Sequence, residues 1–198
     1  MVDFCNTKWF SPVFILLLIF PSCAQMKSGL SSQPSVQTPQ PSVQTQQASS
    51  QTRGQAQRYV TAGEYQKAID LYKTEYKKNP KDSVFVKEYV KSLEEIKASA
   101  DGASEKKDFA PAGKTYNILL KNYPDFKRFA GTLSFDSAIL NSKLTNCKTA
   151  LSKKGFQAYR EGKLSEAISL WQDYLEIDPN NTDIKKALNT ARMQKKNL

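Results

Sequence analysis

GEYQKAIDLYKTEYKKNP (residues 63–80) and GKLSEAISLWQDYLEIDP (residues 162–179) obey one spacing rule. Each starts on a glycine, with an alanine 5, an aromatic 9 and a proline 17 positions on: Gly63, Ala68, Tyr72, Pro80 and Gly162, Ala167, Trp171, Pro179. KDFAPAGKTYNILLKNYP (residues 107–124) keeps Ala112, Tyr116 and Pro124 at the same offsets but begins on Lys107. One set of offsets used three times means one supersecondary unit repeated. The residue types say which unit. Glycine takes the left-handed conformation that ends one helix before the next begins. The alanine lets two antiparallel helices approach closely, and the aromatic four residues later lies on the same helical face. The proline ends the helix. Each block is therefore read as the second helix of a helix-turn-helix. An ordinary bundle with coincidental patterning would not predict three registered copies.

At these residues the chain resembles the tetratricopeptide repeat (TPR) family. Gly155, seven positions before Gly162, matches the family's glycine in the first helix, and Ala56 takes that place before Gly63. The resemblance implies an all-α helix-turn-helix repeat array, a TPR-like α-solenoid of about three irregular repeats plus a C-terminal capping helix. It also implies a function in binding rather than catalysis. The chain departs from the family in its intervals. A repeat of ~34 residues is usual, whereas Pro80, Pro124 and Pro179 lie 44 and 55 apart. Extra residues therefore fall near 97–106 and 125–145, where partner specificity is expected if the sequence carries any.

Outside the repeats the composition changes. VFILLLIF (Val13 to Phe20) is too short to span a bilayer and has the length of a signal-peptide core. It runs into Pro21-Ser22-Cys23-Ala24, which resembles a bacterial lipoprotein signal with Cys23 as the lipidated residue. Ordinary secretory cleavage after Ala24 and an uncleaved anchor stay open. Residues 1–23 are read as this lipoprotein-type signal peptide. Residues 24–52, with QPSVQT at Gln33 to Thr38 and again at Gln40 to Thr45, are read as a disordered Ser/Gln/Pro linker that cannot bury enough apolar surface to order itself. Residues 53–198 are the repeat domain.

Within that domain the apolar spacing is helical throughout. Val84, Tyr89, Val90, Leu93 and Ile96 predict a helix starting near Asp82 or Ser83, both good caps. The stretch Lys97 to Lys106, poor in apolar residues and holding Gly102, is expected to fray into a loop. Phe126, Phe129 and Leu133 suggest a short apolar helix or lid. A long helix is expected from about Phe135 to Glu161, carrying the stripe Leu140, Leu144, Cys147, Leu151 and Ala158. In a last helix, Ile184, Leu188 and Ala191 would cover the end of the stack. Cys147 is expected to be a buried structural thiol.

Catalytic and metal patterns are scarce. The chain has no histidine, which removes imidazole triads and zinc sites. Gly113-Lys114-Thr115 looks like the end of a phosphate-binding loop, but it falls inside a repeat helix rather than at a strand-to-helix turn. Ser104 and Lys107 form a Ser-x-x-Lys pair without its partner motifs. Asp178 to Asp183 lacks the glycine and closing glutamate of a calcium loop. No acid, base and nucleophile set converges, so no enzyme, no cofactor and no metal is expected.

The formal charge of +10 suits a solvated surface, or contact with a polyanion. Export makes nucleic acid an unexpected target. The leading expectation is a protein-binding scaffold, exported and lipid-anchored in a bacterial cell envelope, facing the periplasm from the outer membrane. Its partner would be an envelope protein or peptide, held in a groove of first-helix residues including Tyr59, Tyr89, Phe156 and Tyr159. The alternative is a basic periplasmic module for an acidic glycan or an anionic lipid surface, with a soluble periplasmic or secreted location.

Overall fold

The computed structural model of the chain describes residues 43–197. They form seven α-helices: α1 Val43–Thr61, α2 Tyr65–Lys78, α3 Ser83–Glu105, α4 Phe109–Phe126, α5 Ser137–Arg160, α6 Leu164–Ile177 and α7 Thr182–Lys196. A 3-10 turn, Lys127–Phe129, lies between α4 and α5. Among the described residues there is no strand. α1 with α2, α3 with α4, and α5 with α6 form hairpins, and α7 packs on α6. This is the expected all-α, TPR-like repeat array with its capping helix. The expectations for residues 1–23, Cys23 included, and for residues 24–42 lie outside the described residues.

Every hairpin turns in the same way. The amide of the residue in the left-handed position reaches back to the carbonyl of Val60, Ser104 or Tyr159, and the next amide reaches Tyr59, Ala103 or Ala158, at 2.9–3.1 Å. This paired closure is the Schellman motif. Gly63 and Gly162 sit there at φ 75° and 74°. Lys107 holds the same position at φ 62°, a conformation that costs a side-chain-bearing residue about 1 kcal/mol.

The repeated small and aromatic residues are core. Ala68, Ala112 and Ala167 are fully buried, and Tyr72, Tyr116 and Trp171 are buried beside them. Gly155 lies where a Cβ would fall 2.7 Å from Trp171 Cδ1, so the ring packs on bare backbone. Ala56 and Ala100 occupy the matching places in the first two hairpins, and both are buried.

Three local expectations are corrected. Residues 43–52, read as linker, belong to α1. The stretch 97–106 does not fray. α3 continues to Glu105 because Ile96 and Ala100 are buried, and because Asp101 accepts from Lys97 at 2.7 Å and from the Tyr116 hydroxyl at 2.5 Å. Pro124 does not end its helix but lies inside the last turn of α4, which runs on to the fully buried Phe126. By contrast, Pro80 and Pro179 follow α2 and α6 as expected. The start at Ser83, capped by Asp82, and the long helix Ser137–Arg160 also follow the reading. So do the buried Cys147 and the cap residues Ile184, Leu188 and Ala191.

The long intervals become long first helices. α3 has 23 residues and α5 has 24, against 14 in α2 and α6. The Tyr65 hydroxyl, beside the first turn, lies 2.7 Å from Ser99 Oγ, so the end of α3 projects past that turn by roughly 9 Å. Lys154 lies over the Phe109 ring at 5.0 Å, and the end of α5 projects past the second turn by a similar length. The repeats are therefore stepped along their helix axes.

Candidate functional site

The groove expected from the sequence would run along the first helices α1, α3 and α5. Between α1 and α3 there is a cavity of about 360 Å³, lined by Arg53, Gln57, Glu88 and Lys91, with Tyr72 in its wall. Its charges are largely matched internally. Arg53 pairs with Glu88 at 3.1 Å, the Gln57 amide donates to Glu95 at 2.9 Å, and Lys91 lies 3.5 Å from Glu95. The Ser92 hydroxyl donates to Tyr72 Oη at 2.9 Å. Burial pushes the Tyr72 phenol up, with the Ser92 contact opposing.

Further along, the face is covered by the chain itself. The segment 127–136 crosses α3. Phe129 meets Tyr89 edge-on at 5.6 Å and Tyr76 at 5.4 Å, while the Ser134 amide and hydroxyl donate to Glu94 at 2.5 and 2.6 Å. Tyr89 is thus not a groove residue. It is 2% exposed and stacks on Tyr72 at 4.9 Å, and burial pushes its phenol far above the ordinary range. Apolar Phe126, Phe129 and Phe135 hold this segment down, so a continuous groove from α3 to α5 is absent from the described surface.

The other expected groove residues separate into two places. Tyr59 is half-buried on α1, with Lys67 5.6 Å from its ring and the Gln55 amide donating to its hydroxyl. Phe156 and Tyr159 come together on α5, around Trp171. Their rings lie 5.0 and 5.7 Å from it, and Phe156 remains 42% exposed. Of the two, Tyr159 also lines an open cavity of about 600 Å³, with Arg160, Leu164 and Gln194. The Trp171 indole N–H is buried without a hydrogen-bond partner, held against the Gly155 backbone. This end is an aromatic shelf, in contrast to the ion-paired α1–α3 groove.

The patterns set aside in the sequence have structural uses. Gly113 admits Cys147 and Ile177, since a Cβ there would lie 3.2 Å from Cys147 Cβ. Lys114 pairs with Glu176, and the Thr115 hydroxyl donates to the Pro111 carbonyl. Asp178 pairs with Lys148 at 3.0 Å, and Asn181 caps α7. Among the described residues no acidic, histidine or cysteine cluster is able to hold a metal ion, and no helix is long and apolar enough to cross a membrane.

The network that sequence reasoning missed is centred on Asp101. It joins α3 to α4 through Tyr116 and to α5 through Lys143 at 3.1 Å. Desolvation raises its carboxyl, but hydrogen bonds from Lys97, Tyr116 and Lys143 outweigh that and hold it at about 2. No periodic signal marks an acid whose partners lie on three helices.

A protein of Mycosarcoma maydis, small glutamine-rich tetratricopeptide repeat-containing protein 2, is 28% identical over 114 residues, which is 51% of this chain and 32% of that protein. The chain therefore spans about a third of that relative's length. No protein-family model matches the chain.

Proposed function

We propose that this chain is a non-catalytic scaffold that docks a protein partner on its first-helix face. In this reading it is exported, anchored through lipidated Cys23, and faces the periplasm from the outer membrane of a bacterial envelope, where it helps to assemble an envelope complex. The observation that carries the docking reading is the half-open aromatic shelf. Phe156 is a large apolar side chain 42% exposed, one helical turn before Tyr159, which lines an open cavity, and it is fixed from behind by a buried tryptophan. Rigid aromatic anchors of this kind dominate interface energetics. The similarity to a repeat-containing protein favours the same class of function. Support for export comes from Val13 to Phe20 followed by Ser22-Cys23-Ala24.

Crosslinking in intact cells, followed by recovery of the full chain, tests this. Wild type should bring down a discrete envelope protein, and Phe156→Ser should bring down about tenfold less with little change in thermal unfolding. Equal recovery with the variant, or no stable partner with wild type, overturns the docking reading. Cys23→Ser should shift the protein out of the membrane fraction. A variant that stays membrane-bound at full length overturns lipidation.

A further inference from the structure

The last helix carries charge that neither the repeat fold nor the aromatic shelf uses. α7 packs Ile184, Leu188 and Ala191 inward and exposes most of its remaining surface. Helical spacing places Lys185, Arg192 and Lys196 on one line, at i, i+7 and i+11. Lys186 lies about 100° round the helix on one side of that line and Lys195 about 80° round on the other. Lys195 is thus in register with Ile184, Leu188 and Ala191, at the helix end, and all five cations are exposed. None of the five makes an ion pair within the described residues, whereas Lys73, Lys97, Lys143 and Lys148 are each paired with an aspartate. The single acidic residue of α7 is Asp183, in its first turn. The stripe also faces away from the shelf, because Gln194, which shares the cavity with Tyr159, lies on roughly the opposite side of the helix.

We propose that this stripe seats the protein on an anionic lipid surface. It presents a row of cations about 17 Å long on the outside of a helix rather than a cleft that could read the side chains of a peptide. A planar field of phosphate head groups meets such a row along its whole length, and long lysine stems adapt to it without a fixed geometry. Met193, 61% exposed and seven residues from Lys186, adds an apolar tip that can enter the head-group layer. The proposal stands apart from the docking reading, since it concerns another side of α7.

Sedimentation of the full-length Cys23→Ser chain, which cannot carry the proposed lipid, with phosphatidylglycerol-containing vesicles and with neutral phosphatidylcholine vesicles tests it. With the stripe intact, this chain should prefer the anionic vesicles by about tenfold or more at low salt, and lose that preference at high salt. Replacing Lys185, Lys186, Arg192, Lys195 and Lys196 with glutamine should remove the preference. A matched variant with Lys77, Lys81, Lys87, Lys121 and Lys127 replaced by glutamine carries the same change in net charge and should keep most of it. These sites are all exposed, so unchanged circular dichroism and melting temperature establish that both variants fold. Equal losses in the two variants would reduce the effect to net charge and overturn the assignment. So would absent binding, or equal binding to neutral vesicles. Stripe-dependent binding to polyglutamate without vesicle binding would assign the stripe to an acidic protein instead.

Discussion

Lys107 holds the turn conformation that Gly63 and Gly162 hold at the other two hairpins, with the same paired back-bonds. A Cβ at positive φ is crowded by the following carbonyl, so Lys107→Gly should stabilise the protein by about 0.5–1 kcal/mol. A rise of roughly 1–4 °C in melting temperature would register it. No rise, or a fall, would mean that the lysine side chain contributes something the turn geometry does not show. This site was half legible. Aligning the three repeats put Lys107 at the glycine position, but nothing in its identity said that the backbone would keep the glycine conformation. Ala100 was less legible. It matches Ala56 and Gly155, yet its surroundings are polar enough to look like loop.

Elements explain why. Lys97 to Glu105 stays helical because a buried stripe of Ile96 and Ala100 continues, and because Asp101 is gripped from α3, α4 and α5. Local propensity counts Gly102 and many polar residues, and it cannot see partners on other helices. The clamp makes stability depend on pH. With its folded value near 2 against an ordinary 3.8, Asp101 stabilises the fold above about pH 4, and this contribution disappears as pH falls from about 4 to 2. Its size is on the order of 2 kcal/mol. Urea midpoints for wild type and Asp101→Asn should differ most at neutral pH and converge by about pH 2. A constant difference across that range would show that the carboxylate charge is not what the clamp uses. Similar reasoning covers Pro124: the sequence predicts a stop there, while the buried Phe126 holds the last turn of α4 together.

Across the whole molecule, the two long intervals step each repeat along its neighbour, and the segment 127–136 covers the surface of α3 that the step leaves open. α4 packs on α5 as extensively as on its own hairpin partner α3, so the second and third repeats form a continuous unit. Cys147 lies at this junction, 1% exposed, beside Gly113 and near Ile177. Burial pushes its thiol up, with a Ser104 hydrogen bond opposing. A water-soluble thiol reagent should therefore modify Cys147 at least roughly a hundredfold more slowly in native buffer than in urea, as located by peptide mapping. Rapid native labelling would mean that the junction opens far more readily than this packing implies. The same step determines the functional face. Tyr59 and Phe156 were read as lining one groove, but they belong to separate surfaces, and Tyr89 is sealed between Tyr72 and Phe129.

The 5, 9 and 17 offsets by themselves determined the hairpin repeat, its two glycine turns and the small–aromatic pairs Ala68–Tyr72, Ala112–Tyr116 and Ala167–Trp171 of its core, because the 5 and 9 offsets encode local contacts between helices adjacent in the chain. Cys147 burial and the α7 cap were legible for the same reason: an apolar stripe at helical spacing must be covered. How the repeats slide past one another was decided only in the tertiary structure. That register depends on contacts between residues far apart in sequence, such as Phe129 with Tyr89, Asp101 with Lys143, and Gly113 with Ile177. These contacts leave no periodic mark. They also determine which aromatic residues end in the core and which, like Phe156, remain available to a partner.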